Sequence, residues 1–77
     1  MEAPADMTQR HQATQQIMRH FTAAHLPHDL AVISSYAAET AHLMLAQLPD
    51  GPELTAGLRK LLEAKDCFVR AAIARSQ

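Results

Sequence analysis

The chain of 77 residues is long enough for one small domain, close to the size at which the core of a monomer becomes marginal. Its formal net charge of −1 argues against a broadly basic surface for nucleic acid, and its single cysteine leaves no partner for an internal disulfide. No apolar run approaches the length of a membrane span, and we expect neither a signal peptide nor contact with a membrane.

The composition predicts an all-α fold. Hydrophobic residues make up 48% of the chain, but many are alanine, which favours helix, and only three residues are aromatic. No segment shows the alternation of β-branched residues that is typical of a strand. Because a small helical hairpin buries little apolar surface, and neither a disulfide nor a zinc motif reinforces it, we expect a homo-oligomer.

The first predicted element is an N-terminal helical arm. Residues 1–7 are polar and contain proline, so we expect them to fray, and Thr8 is a plausible N-cap for a helix over residues 8–22. Its few large apolar side chains share one face: Ile17, Met18 and Phe21. This short stripe favours an arm that docks only through its second half over a coiled coil.

A second helix is predicted over residues 28–47. Pro27 restricts the residue before it, and Asp29 suits the positive end of a helix. The apolar seam of this helix is expected to comprise Leu30, Ile33, Ala37, Thr40, Met44 and Gln47. The segment that follows, Pro49-Asp50-Gly51-Pro52, has the composition of a tight turn.

The third helix, residues 52–75, contains the longest helical pattern in the chain. Its seam has alternating spacings of four and three: Leu54, Leu58, Leu61, Lys65, Phe68, Ala72 and Arg75. The tight turn predicts an antiparallel hairpin of the second and third helices, and counting outward from it places Thr40 opposite Leu61 and Tyr36 opposite Lys65. The whole chain is therefore predicted to be one helical-hairpin domain, residues 1–77.

The third helix also differs from the rest of the chain in charge and has a second stripe. From Glu53 to Gln77 there are five Lys or Arg against three acids, whereas the preceding segment is acidic, which favours a local site for a small anion.

The second stripe consists mostly of small residues: Gly57, Lys60, Ala64, Cys67, Ala71 and Ala74. It predicts either a contact between protomers or the docking site of the first helix.

The most informative candidate for ligand binding is Lys65, which interrupts the apolar seam. Its methylenes can cover the core with the ammonium in solvent, or the ammonium can meet a phosphate while Tyr36 stacks on a base. Arg75 can reach a phosphate from a neighbouring subunit or simply stabilise the end of its helix. The remaining charges of the outer face are expected to pair with one another in solvent: Arg59, Glu63, Asp66 and Arg70.

Other kinds of chemistry lack a signature in the sequence. The five histidines have no spacing typical of a metal site, and we expect no metal and no cofactor. There is no glycine-rich phosphate loop and no nucleophile elbow, and Cys67 lies in the middle of a helix, a poor position for an exposed nucleophile. We therefore expect that the protein is not an enzyme.

Several short motifs in the turn and the third helix resemble those of a phage protein family. The matching residues are Leu48-Pro49-Asp50-Gly51, Glu53, Leu58, Lys60-Leu61, Glu63-Ala64 and Ala71-Ala72-Ile73-Ala74-Arg75, with Phe21-Thr22 and Pro27 before them. The family comprises small helical-hairpin sponges that sequester cyclic nucleotides and so disarm bacterial anti-phage signalling of the CBASS and Thoeris types. The resemblance covers about a third of the chain.

This resemblance implies a symmetric homo-oligomer, often a hexamer, with ligands bound between protomers in the bacterial cytoplasm. The family has a tyrosine for base stacking where this chain has Ala23 and Ala24, and a lysine in the second helix where it has Ala38. We expect His25 or Tyr36 to substitute for the family's tyrosine, and Lys65 to substitute for its lysine.

We therefore predict non-catalytic capture of a cyclic di- or trinucleotide, or of a ligand like cyclic ADP-ribose. The expected phosphate contacts are Lys65, Arg59, Lys60, Arg70 and Arg75. The expected stacking residues are Tyr36, Phe21 and His25, and Thr40 completes the predicted site. The alternative is a homo-oligomeric interaction module without a small ligand, in which Ile17, Met18 and Phe21 stay exposed; DNA binding is disfavoured by the near-neutral composition.

Overall fold

The computed structural model describes residues 10–22 and 26–75. It has three α-helices, α1 (Gln12–Met18), α2 (His28–Gln47) and α3 (Pro52–Arg75), with a single turn of 3-10 helix (Arg19–Phe21) after α1. The described part contains no strand, which confirms the all-α class. No helix in it is long and apolar enough to cross a membrane. The predicted fraying of residues 1–7 and the roles of Thr8 and His25 fall outside the described residues.

The prediction of one continuous first helix is wrong, because the described part of this segment is α-helical only from Gln12 to Met18. His11 is the N-cap, and its Nδ1 accepts a hydrogen bond from the Ala13 amide at 3.0 Å. The backbone N–H of His11 donates to Asp50 Oδ2 at 2.6 Å, so the turn after α2 contacts the chain where α1 begins. Thr22 is extended.

The two long helices pack side by side and share one core with the arm, a term used below for residues 10–21. Pro27 and Pro52 stand at the starts of α2 and α3, where a missing N–H costs little. The core is a cluster of buried side chains from all three segments: Phe21, Ala41, Leu45, Leu54 and Leu58. Partly buried apolar side chains surround it: Ile17, Met18, Ala37, Ala38, Leu61 and Leu62.

The arm docks along its described length and not only through its second half. Phe21 is 3% exposed at one end, and Thr14 is 1% exposed near the other. The stripe of small residues on α3 is not the docking site, because Gly57, Cys67, Ala71 and Ala74 remain exposed. The arm therefore covers one side of the helix pair and leaves the side with the stripe open.

The predicted seam of α2 is displaced by about one residue. The buried residues of this helix are Ser34, Ala41 and Leu45, whereas the predicted Met44 is 45% exposed. The displacement follows from the arm, since α2 packs against both α3 and the arm and buries the face between them. The predicted seam lies at the edge of that contact.

A hydrogen-bonded clasp fastens the start of the arm to the turn between α2 and α3. The guanidinium of Arg10 donates to the carbonyl oxygens of Leu45 and Leu48, and to Asp50 Oδ1 at 2.9 Å. The hydroxyl of Thr14 donates to the same oxygen at 3.1 Å. Arg10 thus satisfies carbonyls that the end of α2 leaves without a helical partner, and Asp50 gathers donors from the arm.

Because the clasp depends on the Asp50 carboxylate, we expect the protein to lose stability in acid. The hydrogen bond from the His11 backbone, followed by that from the Arg10 side chain, holds the pKa of Asp50 below its ordinary value of 3.8. A carboxyl group with a lower pKa in the folded state stabilises that state above the unfolded pKa, and the contribution is lost as the pH falls through the folded pKa. The free energy of unfolding, measured with urea, is expected to fall between pH 5 and about pH 2, and Asp50→Asn is expected to make this fall smaller. Glu39→Gln, which changes an exposed carboxylate of α2, is the control and keeps the wild-type slope.

A buried hydroxyl on α2 predicts a stabilising substitution. Ser34 is fully buried, and its Oγ has no hydrogen-bond partner in the described part of the chain. Ser34→Ala is expected to raise the free energy of unfolding by about 1 kcal/mol, because it removes an unpaired polar group. The matched control is Ser35→Ala, since Ser35 is exposed and its Oγ donates to the Val32 carbonyl at 2.7 Å. Equal effects of the two changes in urea unfolding would show that helix propensity alone is responsible.

Candidate ligand groove

An open groove lies between α2 and α3 along the first half of α2 and the second half of α3. Its cavity volume is about 460 Å³, and no described residue of the arm lines it. The lining is apolar for the most part: Ile33, Tyr36, Ala37, Thr40, Leu61, Lys65, Phe68, Ala71, Ala72 and Arg75. Alanines on both helices are too short to fill the space between them, so a groove forms where a core would otherwise continue.

Two aromatic rings are presented in this groove. Tyr36 on α2 is 63% exposed and Phe68 on α3 is 61% exposed, although both line the cavity. Large aromatic side chains normally contribute most of the buried area of a core or an interface. Their exposure here leaves two faces free for a flat, apolar partner.

Of the five cations of α3, Lys65 and Arg75 line the groove and the other three do not. Arg75 is exposed and lines the cavity. Lys65 also lines the cavity, and its Nζ donates to the His20 carbonyl at 3.0 Å and lies 3.3 Å from Asp66 Oδ1. Its side chain is 11% exposed. The ammonium thus has a partner in the arm, which neither sequence alternative included.

The remaining predicted site residues separate into those at the groove and those elsewhere. Thr40 lines the groove, and its hydroxyl donates to the Tyr36 carbonyl at 2.9 Å. Phe21 is buried in the core and lines no part of the groove, so its ring is not exposed there for a base. The exposed cations that the groove does not include are Arg59, Lys60 and Arg70. Sequence reasoning thus assembled Tyr36, Thr40, Lys65 and Arg75, and it did not assign Phe68 to the site.

Phe68 shows which signal was missing from the pattern. It has the spacing of the α3 seam and was therefore expected in the core. The ring is instead 61% exposed, in a groove whose lining includes Ala37 on α2 and Ala72 on α3. A large seam residue with alanines nearby on both helices is the sequence feature that points to such a groove.

The open side of the helix pair continues beyond this groove toward the turn. A neighbouring cavity of about 280 Å³ shares Thr40 and Leu61 with it. Met44 and Leu48 line this second cavity and are 45% and 43% exposed. The apolar side chains on this side of the molecule therefore form one extended face.

The outer face of α3 carries charges that do not pair as predicted. Within the described residues, the ion pairs are Arg10–Asp50 and Lys65–Asp66, and none joins Arg59 to Glu63. Arg70 Nη2 instead donates to the sulfur of Cys67 at 3.3 Å, and this cysteine is exposed. These cations are therefore exposed and line no part of the groove.

Comparison with known proteins gives no relative from which to assign the groove. No family model, curated protein or solved structure matches the chain. Among the described residues, no group of three His, Cys, Asp or Glu side chains is placed to hold a metal ion. The function is accordingly argued from the groove and its side chains.

Proposed function

We propose that this protein captures a cyclic nucleotide in the groove without turning it over, and so sequesters a signal of bacterial anti-phage defence. The observation that carries the proposal is the convergence of Tyr36, Phe68 and Arg75 on one apolar cavity. Cyclic di- or trinucleotides and ligands like cyclic ADP-ribose combine flat bases with phosphates, which is the chemistry that these side chains match.

Each part of such a ligand has a counterpart in the groove. Stacking of a base on an aromatic side chain contributes about 1–3 kcal/mol, and Tyr36 and Phe68 offer two such surfaces. The planar guanidinium of Arg75 suits a phosphate, with which it can form two parallel hydrogen bonds. The apolar floor formed by Leu61 and the alanines favours the base over water.

Capture without catalysis is supported by the kinds of side chain in the groove. Its lining includes Tyr36, Lys65 and Arg75 but, among the described residues, no carboxylate, histidine or cysteine. Histidine is the most frequent general base, and the Lys65 ammonium, a group of the lining that could also act, is held by the His20 carbonyl. Such a lining favours binding over turnover.

A homo-oligomer of helical hairpins is part of the proposal. The groove is open on one side, and Met44 and Leu48 extend its apolar surface beyond what one nucleotide covers. A second protomer on this face would bury that surface and enclose the ligand. This arrangement accords with the resemblance to hexameric sponges whose ligands lie between subunits.

Titration calorimetry with a panel of cyclic dinucleotides, cyclic trinucleotides and cyclic ADP-ribose isomers tests the proposal. We expect heat from at least one of them, and a weaker association for Arg75→Ala. Arg59→Ala is the matched control, because Arg59 is an exposed arginine of the same helix outside the groove. Absence of heat for the whole panel, from protein shown to be folded, would disprove nucleotide capture.

The second candidate is a helical homo-oligomeric interaction module without a small ligand. The extended apolar face favours it, because Tyr36 and Phe68 could be covered by protein alone. Its predicted hallmark, an exposed patch on the first helix, is absent, since Phe21 is buried. Under this alternative the panel gives no heat, and Tyr36→Ala lowers the oligomer mass measured by light scattering.

A further inference from the structure

Lys65 belongs to the groove and to the arm at the same time. Lys65 lines the groove, and its Nζ donates to the carbonyl oxygen of His20, 3.0 Å away in the 3-10 turn of the arm. The other contact of the ammonium is Asp66, whose side chain is 50% exposed, and ion pairs of that kind contribute little. The His20 carbonyl is thus the contact that holds the ammonium at the arm.

We infer that the arm masks Lys65, and that release of the arm supplies the groove with a second cation beside Arg75. The effect on ligand affinity rests on the proposed function, because it concerns the same groove. A lysine has a flexible four-carbon stem and a compact charge, so an ammonium that loses its carbonyl partner can turn to a phosphate without movement of α3. Docking of the arm and binding of an anion then compete for one side chain.

The start of the arm offers a way to test this without touching the groove. Arg10 and Asp50 form the clasp and line no part of the groove. Opening the clasp removes one of the two contacts that dock the arm, and the burial of Phe21 is the other, so the population of undocked arm rises while the docked state persists. The helices that form the groove stay in contact through Leu45 and Leu58.

The masking itself can be measured without any ligand. The chain has two lysines, and Lys60 is an exposed internal reference on the same helix as Lys65. Competitive acetylation by a succinimidyl ester, read by mass spectrometry, is expected to label Lys65 more slowly than Lys60. In Asp50→Ala and in Arg10→Ala, labelling of Lys65 should rise about threefold or more while that of Lys60 is unchanged. Thr14→Val, which removes one donor to Asp50, is the milder variant if either of these fails to fold.

Calorimetry then measures how release of the arm changes the affinity of the groove for a ligand. The probes are the panel nucleotide with the highest affinity and inorganic pyrophosphate, an anion without a base. Asp50→Ala is expected to bind both about three- to tenfold more tightly than wild type. Lys65→Met keeps an apolar stem without the charge, and adding it to Asp50→Ala should remove the gain.

The outcomes separate this inference from the proposed function. If Lys65 labelling is unchanged in the folded clasp variants, the masking is disproved, whatever the panel shows. If labelling rises but neither probe binds more tightly, or the gain survives Lys65→Met, the second-cation claim is disproved. If no nucleotide binds while labelling and pyrophosphate affinity both rise, nucleotide capture fails and the masking stands.

Discussion

Replacing Leu58 with alanine is expected to cost about 3 kcal/mol of the free energy of unfolding. Leu58 is 2% exposed and lies in the cluster where α2, α3 and the arm meet, so the cavity left by truncation borders all three. The total free energy of unfolding of a domain of this size is on the order of 5–10 kcal/mol, so this one substitution removes a large share of its stability. Urea unfolding at fixed protein concentration, followed by circular dichroism, is the measurement.

The matched control is Leu43→Ala, which makes the same chemical change at a helical leucine that is 58% exposed. It is expected to alter the free energy of unfolding by less than about 0.5 kcal/mol. Losses of similar size at Leu43 and Leu58 would contradict the assignment of the core. A loss at Leu43 alone would indicate that an assembly covers this outer face of α2.

The fold class followed from the sequence because its determinants are local. An alanine-rich chain without strand alternation can bury its apolar groups only as helices, and Pro27 and Pro52 mark where the long ones begin. The turn between α2 and α3 also sets which residues of the two helices lie at the same level. That local information was enough to bring Tyr36 and Lys65 to one groove.

The arm could not be predicted in the same way, because the interactions that place it are not local. Arg10 and Asp50 are forty residues apart, and no periodic pattern relates them. The apolar stripe that contains Phe21 indicated which side of the arm is buried, but it did not indicate which residues that side packs against. The partner of the Lys65 ammonium is the main-chain carbonyl of His20, which any residue at that position would supply. Such contacts are found only once the helices have been packed.

Removing the ring of Tyr36 is expected to weaken nucleotide binding by about tenfold or more. The proposed site uses the exposed face of Tyr36 for a base, and loss of one stacking contact costs about 1–3 kcal/mol. Tyr36→Leu keeps an apolar side chain in the groove, so its effect measures stacking and not the loss of apolar area alone. Calorimetry with the tightest nucleotide of the panel gives the ratio of affinities.

Tyr36→Phe is the control for the phenolic hydroxyl and is expected to bind within about threefold of wild type, because the ring remains. Phe68→Leu tests the second ring across the groove, and since the two rings line one cavity their effects need not add. A nucleotide that binds Tyr36→Leu as tightly as wild type would contradict stacking on Tyr36. If only Phe68→Leu weakened nucleotide binding, the base would instead stack on Phe68 of α3, the helix that carries Arg75.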